Sequence, residues 1–469
     1  MTNRVTSDSE IHSFDYLRQV QRTFGTYCAP SNLKLRLVSR AFNRAMTRVW
    51  FQHEFLLLRA FDHTGVFSSK KKPGEFERRV IKPNSVNRIN EFILHGHSFS
   101  PCLRRLRLDL STDSGGFRSD PKQWMQPDCP NSRPEDRESL FGFLKLLPPA
   151  LERVKRLECL WVNMNETWTS DYGDGEEEGY APQLDLVALN ELRESLCSLF
   201  SPTYAHNFQF LTELRLVLPC TYDFAAINKA MSDEAVWRLR HLYLEYVDAT
   251  GPGGDMSYLH WAEEERGEDG DGRYALSNLQ KEYLNYDYMR DICTLIGRCS
   301  NLESLGLYAT HYLNLDDLDW KPSGAGLKNI YIYRAIVHFE TLKKLLSAAD
   351  GESSNIFALK LDYVQLLDHT WAKVFDHLTT AHAMQYFDVT DLNYAFRGKS
   401  AGLREFNNRP WENCATIWST EEEDKNRLGN VVANVVRAGG SIGHLDDTWS
   451  FDSDTNYPDG PRFLVDWRS

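Results

Sequence analysis

The sequence lacks the short motifs that mark most catalytic, cofactor and metal sites. It contains no GxxxxGK(S/T) phosphate loop, no GxGxxG after a predicted strand, no GxSxG nucleophile elbow and no HExxH zinc motif. His377 and His382 are five residues apart, which is off the i, i+4 spacing that lets two helical histidines share one metal. The sequence therefore predicts no catalytic residue, no cofactor and no metal, and it indicates that the protein is not an enzyme.

Paired cysteines and long apolar runs are also missing. The nine cysteines are irregularly spaced and include no CxxC, so reduced thiols are a simpler interpretation than a disulfide framework. Residues 1–15 mix charged and polar side chains, unlike a secretory signal. No apolar run approaches the roughly 20 residues that cross a bilayer. We expect a soluble intracellular protein, cytoplasmic or nuclear, with no membrane partner.

The net charge of −13 argues against extensive phosphate binding, so no nucleic-acid partner is expected. The charge is unevenly distributed. Residues 1–110 carry 19 Lys and Arg against 9 Asp and Glu, whereas the remainder carries 34 against 57. A basic front and an acidic body could steer an acidic partner toward the N-terminal end. The alternative is an ordinary solvated surface, because the basic residues are spread over several predicted elements.

One hexamer, apolar-x-x-apolar-x-apolar, occurs eight times. Its second and third apolar residues are two positions apart and share one face of a strand, while the first lies at the turn into that strand. The intervals between copies are 54, 54, 28, 63, 25, 29 and 28 residues. The copies begin at Leu103, Leu157, Leu211, Leu239, Leu302, Leu327, Ile356 and Met384.

Segments with helical periodicity lie between the hexamers, and loops rich in Gly, Pro, Asp and Glu fill the longest intervals. Each strand–helix unit exposes leucines that only a neighbouring unit can cover, so the units are predicted to stack as an α/β solenoid. An ordinary α/β sheet with leucine-rich strands is the alternative. The predicted helices are Phe141–Val154, Asp185–Phe200, Phe224–Arg238, Tyr286–Cys299, Phe339–Ala348 and Thr370–Thr380.

The repeats resemble those of leucine-rich-repeat proteins, most clearly over Cys299–Leu307, where a polar turn, a leucine and a strand follow in the family's order. The resemblance covers about residues 95 to 395. It implies a curved parallel sheet with outer helices, and we assign the solenoid with its acidic and Gly-rich insertions to residues 66–395.

The segment ahead of the repeats has a helical pattern of its own. Apolar residues recur at three- and four-residue steps from Leu35 to Val49, and arginines fill the opposite side. This segment resembles the F-box, a small helical module that docks on the adaptor subunit of cullin–RING ubiquitin ligases. The matching residues are Leu35-Arg36-Leu37-Val38-Ser39-Arg40, Phe42-Asn43-Arg44 and Trp50.

The F-box resemblance implies that residues 1–65 form a helical segment that binds the ligase adaptor. An F-box followed by leucine-rich repeats is similar to the F-box-like repeat proteins of filamentous fungi. The alternative is that these helices only cap the first repeat, whose core would otherwise be exposed. The adaptor-binding residues implied by the resemblance are Leu35, Leu37, Val38, Phe42 and Trp50.

Strand positions that alternate with the core leucines are expected to face outward on the concave side of the sheet. Exposed Trp, Tyr and Arg are the residue types enriched at interface hot spots. Alternatively, strand propensity alone explains the aromatics, or the C-terminal residues 396–469, a predicted cap or irregular tail, cover them. The predicted partner-binding residues are Arg105, Arg107, Trp161, Arg215, Tyr243, Tyr308, Tyr331, Tyr333, Lys360 and Tyr386.

Two functions fit these features. The first is a substrate-recognition subunit of an SCF-type cullin–RING ubiquitin ligase, which holds a target protein on its concave face. The second is a binding scaffold without a ligase role. The target protein is not identified by the sequence.

Overall fold

The computed structural model describes residues 55–59, 89–90, 93, 100–110, 134–164, 186–201, 204–246, 278–324, 326–349, 351, 353–395, 404–407, 415–419 and 421–442. The chain divides into two compact units, Met1–Glu54 and Phe55–Ser469, and the described residues all belong to the second. The adaptor-binding prediction falls outside the described residues, because all five of its members precede residue 55: Leu35, Leu37, Val38, Phe42 and Trp50.

The described part of the second unit is built on one 12-stranded sheet. Strands β1 to β9 stand in sequence order, and each pairs in parallel with the next. Strands β11 and β12 also pair in parallel with β9, and β10 is antiparallel to β11. The strands are β1 (Phe55–Arg59), β2 (Arg105–Asp109), β3 (Cys159–Asn163), β4 (Glu213–Leu218), β5 (His241–Tyr246), β6 (Ser304–Asn314), β7 (Asn329–Val337), β8 (Ala358–Leu366), β9 (Tyr386–Tyr394), β10 (Arg404–Asn407), β11 (Ala415–Ser419) and β12 (Ser441–Ile442).

Each of the eight hexamers begins two residues before a strand, so β2 to β9 are the strands that the pattern predicts. The second apolar residues of the hexamers pair across the sheet and are completely buried. Burying one such side chain contributes about 1.5–3 kcal/mol. This column consists of Leu106, Leu160, Leu214, Leu242, Leu305, Ile330, Leu359 and Phe387.

The backbone repeats at the turn into each strand. The carbonyl of Arg104 accepts hydrogen bonds from the amides of Glu158 and Cys159, at 2.8 and 3.0 Å. The same double acceptance recurs at every junction from β2 to β9 and ends with the carbonyl of Phe357. These two hydrogen bonds therefore align each hexamer with the next one at the residues that directly precede the paired strands.

The helices return the chain from the end of one strand to the start of the next. Helix α3 contacts β4 and α6 contacts β6, so the helices cover the leucine columns. Among the described helices, none is long and apolar enough to cross a membrane. The helices are α1 (Pro134–Leu151), α2 (Leu186–Phe200), α3 (Thr221–Ala230), α4 (Asp233–Trp237), α5 (Asn278–Glu282), α6 (Asn285–Arg298), α7 (Phe339–Leu346), α8 (Trp371–Leu378) and α9 (Glu422–Arg437). The expectation of a solenoid-like α/β fold with a long parallel sheet is confirmed.

Two elements differ from the sequence-based expectation. The predicted helix Phe224–Arg238 is wrong as one element, because Ser232 accepts a hydrogen bond from the Ala235 amide at 3.3 Å and starts a second helix. Strand β1 lies within residues 1–65, which were predicted to be helical, and it pairs in parallel with β2. Its hexamer would begin at His53, which is polar and so breaks the pattern.

The final edge of the repeat sheet is covered by residues from the C-terminal region. β12 pairs with the beginning of β9, β11 pairs with its second half, and α9 packs against α8. The buried carboxylate of Asp424 joins these elements. It accepts hydrogen bonds from the Ala372 amide and the Ser419 hydroxyl, both at 2.6 Å, and from the Tyr394 hydroxyl.

Replacing Asp424 with alanine is expected to lower the free energy of unfolding by about 3 kcal/mol, because it leaves three buried donors without their acceptor. Thermal unfolding measures the loss, and hydrogen exchange should show faster exchange in β9. Glu423→Ala, an exposed change one residue earlier on the same helix, is the matched control. Equal midpoints for the two variants would contradict the assigned role of Asp424.

Candidate functional site

The face of the sheet opposite the leucine columns carries polar and aromatic side chains in three rows. Over the first five residues of each strand the register is continuous from β2 to β9, so residues of one row are cross-strand neighbours. The middle row contains six of the ten predicted partner-binding residues. It consists of Arg107, Trp161, Arg215, Tyr243, Gly306, Tyr331, Lys360 and Asp388.

Charged side chains on β2 to β4 surround one indole ring. The guanidinium carbons of Arg107 and Arg215 lie 3.9 and 5.5 Å from the ring centroid of Trp161. The Glu213 carboxylate lies 2.7 Å from the Arg215 guanidinium and 3.6 Å from that of Arg105. Because these charges are paired and mostly buried, we interpret this basic cluster as a rigid part of the face.

Three apolar and aromatic side chains form a buried cluster next to it, namely Val217, Tyr243 and Tyr331. The Tyr243 ring lies over Gly306, and a Cβ at that glycine would overlap the ring. The Tyr243 hydroxyl donates to the Glu245 carboxylate at 2.9 Å. Burial raises the pKa of Tyr243 and Tyr331 well above the usual value, so both rings stay neutral.

Two half-buried tyrosines, Tyr308 and Tyr333, pack on this cluster. The rings of Tyr308 and Tyr333 are stacked, with centroids 4.4 Å apart and planes 9° from parallel. The Tyr363 ring meets Tyr333 edge-on at 5.5 Å. In the same row, Glu245 precedes Tyr308 and Asp362 follows Tyr333. The stack is therefore flanked by a carboxylate on each side.

A backbone irregularity crosses three neighbouring strands at one level. Arg334, Tyr363 and Asp391 all have left-handed backbones, with φ of 60°, 51° and 51°. They occupy the same register position in β7, β8 and β9. Such conformations are unfavourable for bulky residues and concentrate at functional sites. Here the core positions Ile332 and Ala335 are three residues apart instead of two, so two successive residues face away from the core.

The irregularity brings further side chains next to the stacked rings of Tyr308 and Tyr333. The Arg334 guanidinium lies 5.0 Å from the Tyr333 ring centroid and 5.6 Å from that of Tyr363. On β6 the pairing shifts between Tyr308 and Leu313, which places Tyr312 in electrostatic contact with Arg334. We name this region the tyrosine site, which is lined by Glu245, Tyr308, Tyr312, Tyr333, Arg334, Asp362, Tyr363 and Asp391.

The surroundings of Asp362 perturb its carboxyl group. Burial raises its pKa to about 7, and the negative charges of Asp388 and Asp391 act in the same direction. Lys360 opposes the rise, but its ammonium lies 3.9 Å from Asp362 and 3.0 Å from Asp388. The charge of this part of the face therefore changes near neutral pH.

The predicted partner-binding residues all lie on the face of the sheet opposite the leucine columns, which we call the second face. Their exposure, however, was overestimated. The prediction of exposure is wrong for half of them, because neighbouring strands bring their side chains into mutual contact. The buried residues are Arg105, Trp161, Arg215, Tyr243 and Tyr331, and the half-buried ones are Arg107, Tyr308, Tyr333, Lys360 and Tyr386.

Six residues of the tyrosine site were not among the predicted partner-binding residues, namely Glu245, Tyr312, Arg334, Asp362, Tyr363 and Asp391. Simple alternation directs the residue after Tyr333 into the core, whereas the left-handed backbone turns it outward. A signal was present in the sequence, because three successive repeats have two polar residues between apolar ones. The segments are Ile332–Ala335, Leu361–Val364 and Val389–Leu392.

A groove of about 750 Å³ lies along the edge where the strands begin. Its charged side chains are paired with each other, since Glu303 forms ion pairs with Arg240 and, at 2.9 Å, with Lys328. Phe210 lines the groove and is 45% exposed. None of the residues that line the groove has the left-handed backbone found in the tyrosine site, so the groove is the weaker candidate.

Within the described ranges, no group of three or more His, Cys, Asp or Glu side chains could hold a metal ion. Burial raises the pKa of Cys159 and Cys293 to about 12, so these thiols are protonated at neutral pH. Comparison of the chain with known protein families and with curated proteins finds no match. The tyrosine site therefore has to be interpreted from its own geometry.

Gly306→Ala is expected to lower the free energy of unfolding by about 1–3 kcal/mol, because the added methyl group displaces the buried Tyr243 ring. Chemical denaturation measures the loss. Gly297→Ala, in α6, is the control, since a Cβ there meets its nearest atom at an ordinary 3.4 Å and helical alanine is favoured over glycine. A Gly306→Ala protein as stable as the native chain would contradict the packing of Tyr243.

Proposed function

We propose that this chain is a leucine-rich-repeat scaffold that binds a target protein through the second face of its sheet. The observation that carries the proposal is the recurrence of one hexamer in eight aligned parallel strands. Stacked repeats of this kind produce extended surfaces of side chains that serve binding more often than chemistry. The absence of nucleophile and metal motifs from the sequence agrees with a non-catalytic role.

The tyrosine site is the part of that face that we assign to the target. Its half-buried tyrosines rest on the buried cluster of Val217, Tyr243 and Tyr331, so little side-chain entropy remains to be lost on binding. Tyr and Arg are also the residue types that dominate binding energies. The basic cluster on β2 to β4 would support the shape of the face, because its charges are already paired.

We further propose that the scaffold is a substrate receptor of an SCF-type cullin–RING ubiquitin ligase. This proposal depends on the F-box resemblance of the N-terminal segment, with Leu35, Leu37, Val38, Phe42 and Trp50 toward the adaptor. The receptor would do no chemistry, and would raise the effective concentration of the target near the ubiquitin-loading enzyme. The alternative remains a scaffold whose N-terminal helices only cap the repeats.

Alanine replacement of both Tyr308 and Tyr333 is expected to reduce capture of the target more than tenfold, since each such hot-spot ring contributes about 2 kcal/mol. Affinity purification with the native chain and mass spectrometry identify the target, and its recovery by the variant is then compared. Tyr286→Ala is the matched control, because this tyrosine is 72% exposed on α6, away from the sheet face.

Thermal midpoints for both tyrosine variants establish that they are folded. Equal recovery of the target by the double variant and the native chain would exclude the tyrosine site as the binding surface. Tyr331 is not used in this test, because it is buried and its replacement would create a cavity.

The full-length chain is expected to bind the ligase adaptor subunit, and Leu37→Asp with Val38→Asp is expected to abolish that binding by placing charges on the apolar helix face. Isothermal titration of purified adaptor into each protein measures the affinity. Arg40→Gln is the control, since Arg40 lies on the polar side of the predicted helix. No heat of binding with the native, folded chain would leave the capping alternative.

A further inference from the structure

The pairing of β8 with both of its neighbours is interrupted directly after Asp362. Against β7 the pairing skips one residue, Tyr363, and against β9 it resumes three residues later, at Gln365. Arg334, Tyr363 and Asp391, which have left-handed backbones, lie at this level of the three strands. We call this level the pairing gap. Because fewer residues are paired there, local separation of the strands needs less free energy than in the continuous part of the ladder.

A buried carboxyl group borders the pairing gap. The Asp362 side chain is 13% exposed, and its Oδ1 atom accepts no hydrogen bond from any part of the chain that the structure describes. The Lys360 ammonium lies 3.9 Å from Asp362 and 3.0 Å from Asp388, so the ion pair with Asp362 is the longer of the two. A buried carboxylate oxygen without a donor makes the ionised form unfavourable. The geometry therefore favours the neutral form of Asp362.

The charged and titratable groups that face Asp362 come from three strands. Burial raises the pKa of Asp362, the two neighbouring carboxylates act in the same direction and the two cations oppose them, and the resulting pKa is about 7. Burial also raises the pKa of the two tyrosines, so these stay neutral at pH 6 to 8. The groups are Tyr331 and Arg334 on β7, Lys360 and Tyr363 on β8, and Asp388 and Asp391 on β9.

We propose that the pairing gap is a pH-sensitive conformational switch, in which loss of the proton from Asp362 weakens the contacts of β7 to β9 at the gap and proton binding restores them. The physical cause is hydration. Local opening of the gap admits water to the carboxylate, whereas the closed sheet leaves one of its oxygens buried without a donor. The inference does not depend on the proposed binding function.

The direction of the switch follows from the linkage between protonation and opening. The closed gap binds the proton of Asp362 more tightly than the open gap, because hydration returns the carboxyl group to its ordinary pKa of 3.8. Opening therefore becomes more favourable as the pH rises from about 4 to about 7, and it levels off above that. Between pH 6 and pH 8 the equilibrium constant of opening should rise about tenfold.

An ordinary ion pair between Asp362 and Lys360 predicts the opposite response. In that case the ionised carboxylate would stabilise the closed sheet, and protonation at lower pH would remove the attraction and favour opening. The sign of the pH dependence therefore separates a buried carboxyl group that the fold keeps neutral from one that the fold keeps charged.

The test uses the full chain and hydrogen exchange measured by mass spectrometry at pH 6, 7 and 8. Asp362→Asn keeps the shape of the side chain but cannot ionise. Comparison with this variant at each pH cancels the intrinsic pH dependence of exchange and the titration of other groups. The ratio of native to variant exchange rates in peptides from β7 to β9 should rise about tenfold from pH 6 to pH 8. A ratio that is constant or that falls would overturn the proposal.

Two controls separate a local switch from a general effect of charge. Asp317→Asn removes a carboxylate at an exposed position after β6, and its exchange rates should stay within about twofold of the native ones at each pH. Helix α2 is the internal control, since it packs against α1 and α3 and not against β7 to β9. A pH-dependent change in α2 as large as that in β7 to β9 would assign the proton to global unfolding and overturn the local switch.

A second variant and the native chain keep the proposal testable if Asp362→Asn does not fold. Asp362→Thr is neutral and suits a strand, and Thr390 already occupies the same row on β9. In the native chain, exchange in β7 to β9 corrected for its intrinsic rate should rise about fivefold from pH 6 to pH 7 and less than about twofold from pH 7 to pH 8. A corrected rate that does not change over this range would also overturn the proposal.

Discussion

The lateral stacking of the hexamers is the interaction on which the rest of the structure depends. A single strand–helix unit cannot bury its own three apolar positions, because part of their surface stays exposed at its flanks until neighbouring units stack against it. Aligned columns such as the one from Leu106 to Phe387 solve this problem by adding one unit after another. The paired amides at each turn fix the register. The strand residues that alternate with the apolar ones are therefore aligned in defined rows on the second face.

The same alignment explains why that second face is so tightly packed. Parallel strands lie about 4.8 Å apart, which is close to the distance between the centroids of two stacked aromatic rings. Large side chains in one row must therefore touch each other, as Tyr308 and Tyr333 do at 4.4 Å. Polar identity does not protect a side chain from burial in such a row, and even Arg215 is 1% exposed. The side chains of this face are therefore packed nearly as closely as those of the core, with charged residues at the margin.

Much of the fold could be predicted from the sequence, because the hexamer reports directly on burial. Eight strands and the order of the sheet follow from it, whereas β1 was missed because His53 stands in the first apolar position. Alternation also predicts correctly which residues share the second face. It does not predict how deeply each is buried, since that depends on the size of side chains from adjacent strands, as the contact of Tyr243 with Gly306 shows.

The left-handed residues of the tyrosine site could not be predicted from alternation alone, because they change its phase in three strands together. That joint change has a consequence for the evolution of the chain. Deleting Tyr363 alone would restore plain alternation in β8 and keep Val364 and Leu366 on the core face, but the neighbouring strands β7 and β9 would still carry the extra residue. The extra residue therefore matches its surroundings best when adjacent strands carry it at the same level, and the duplication of whole repeats would produce that arrangement directly.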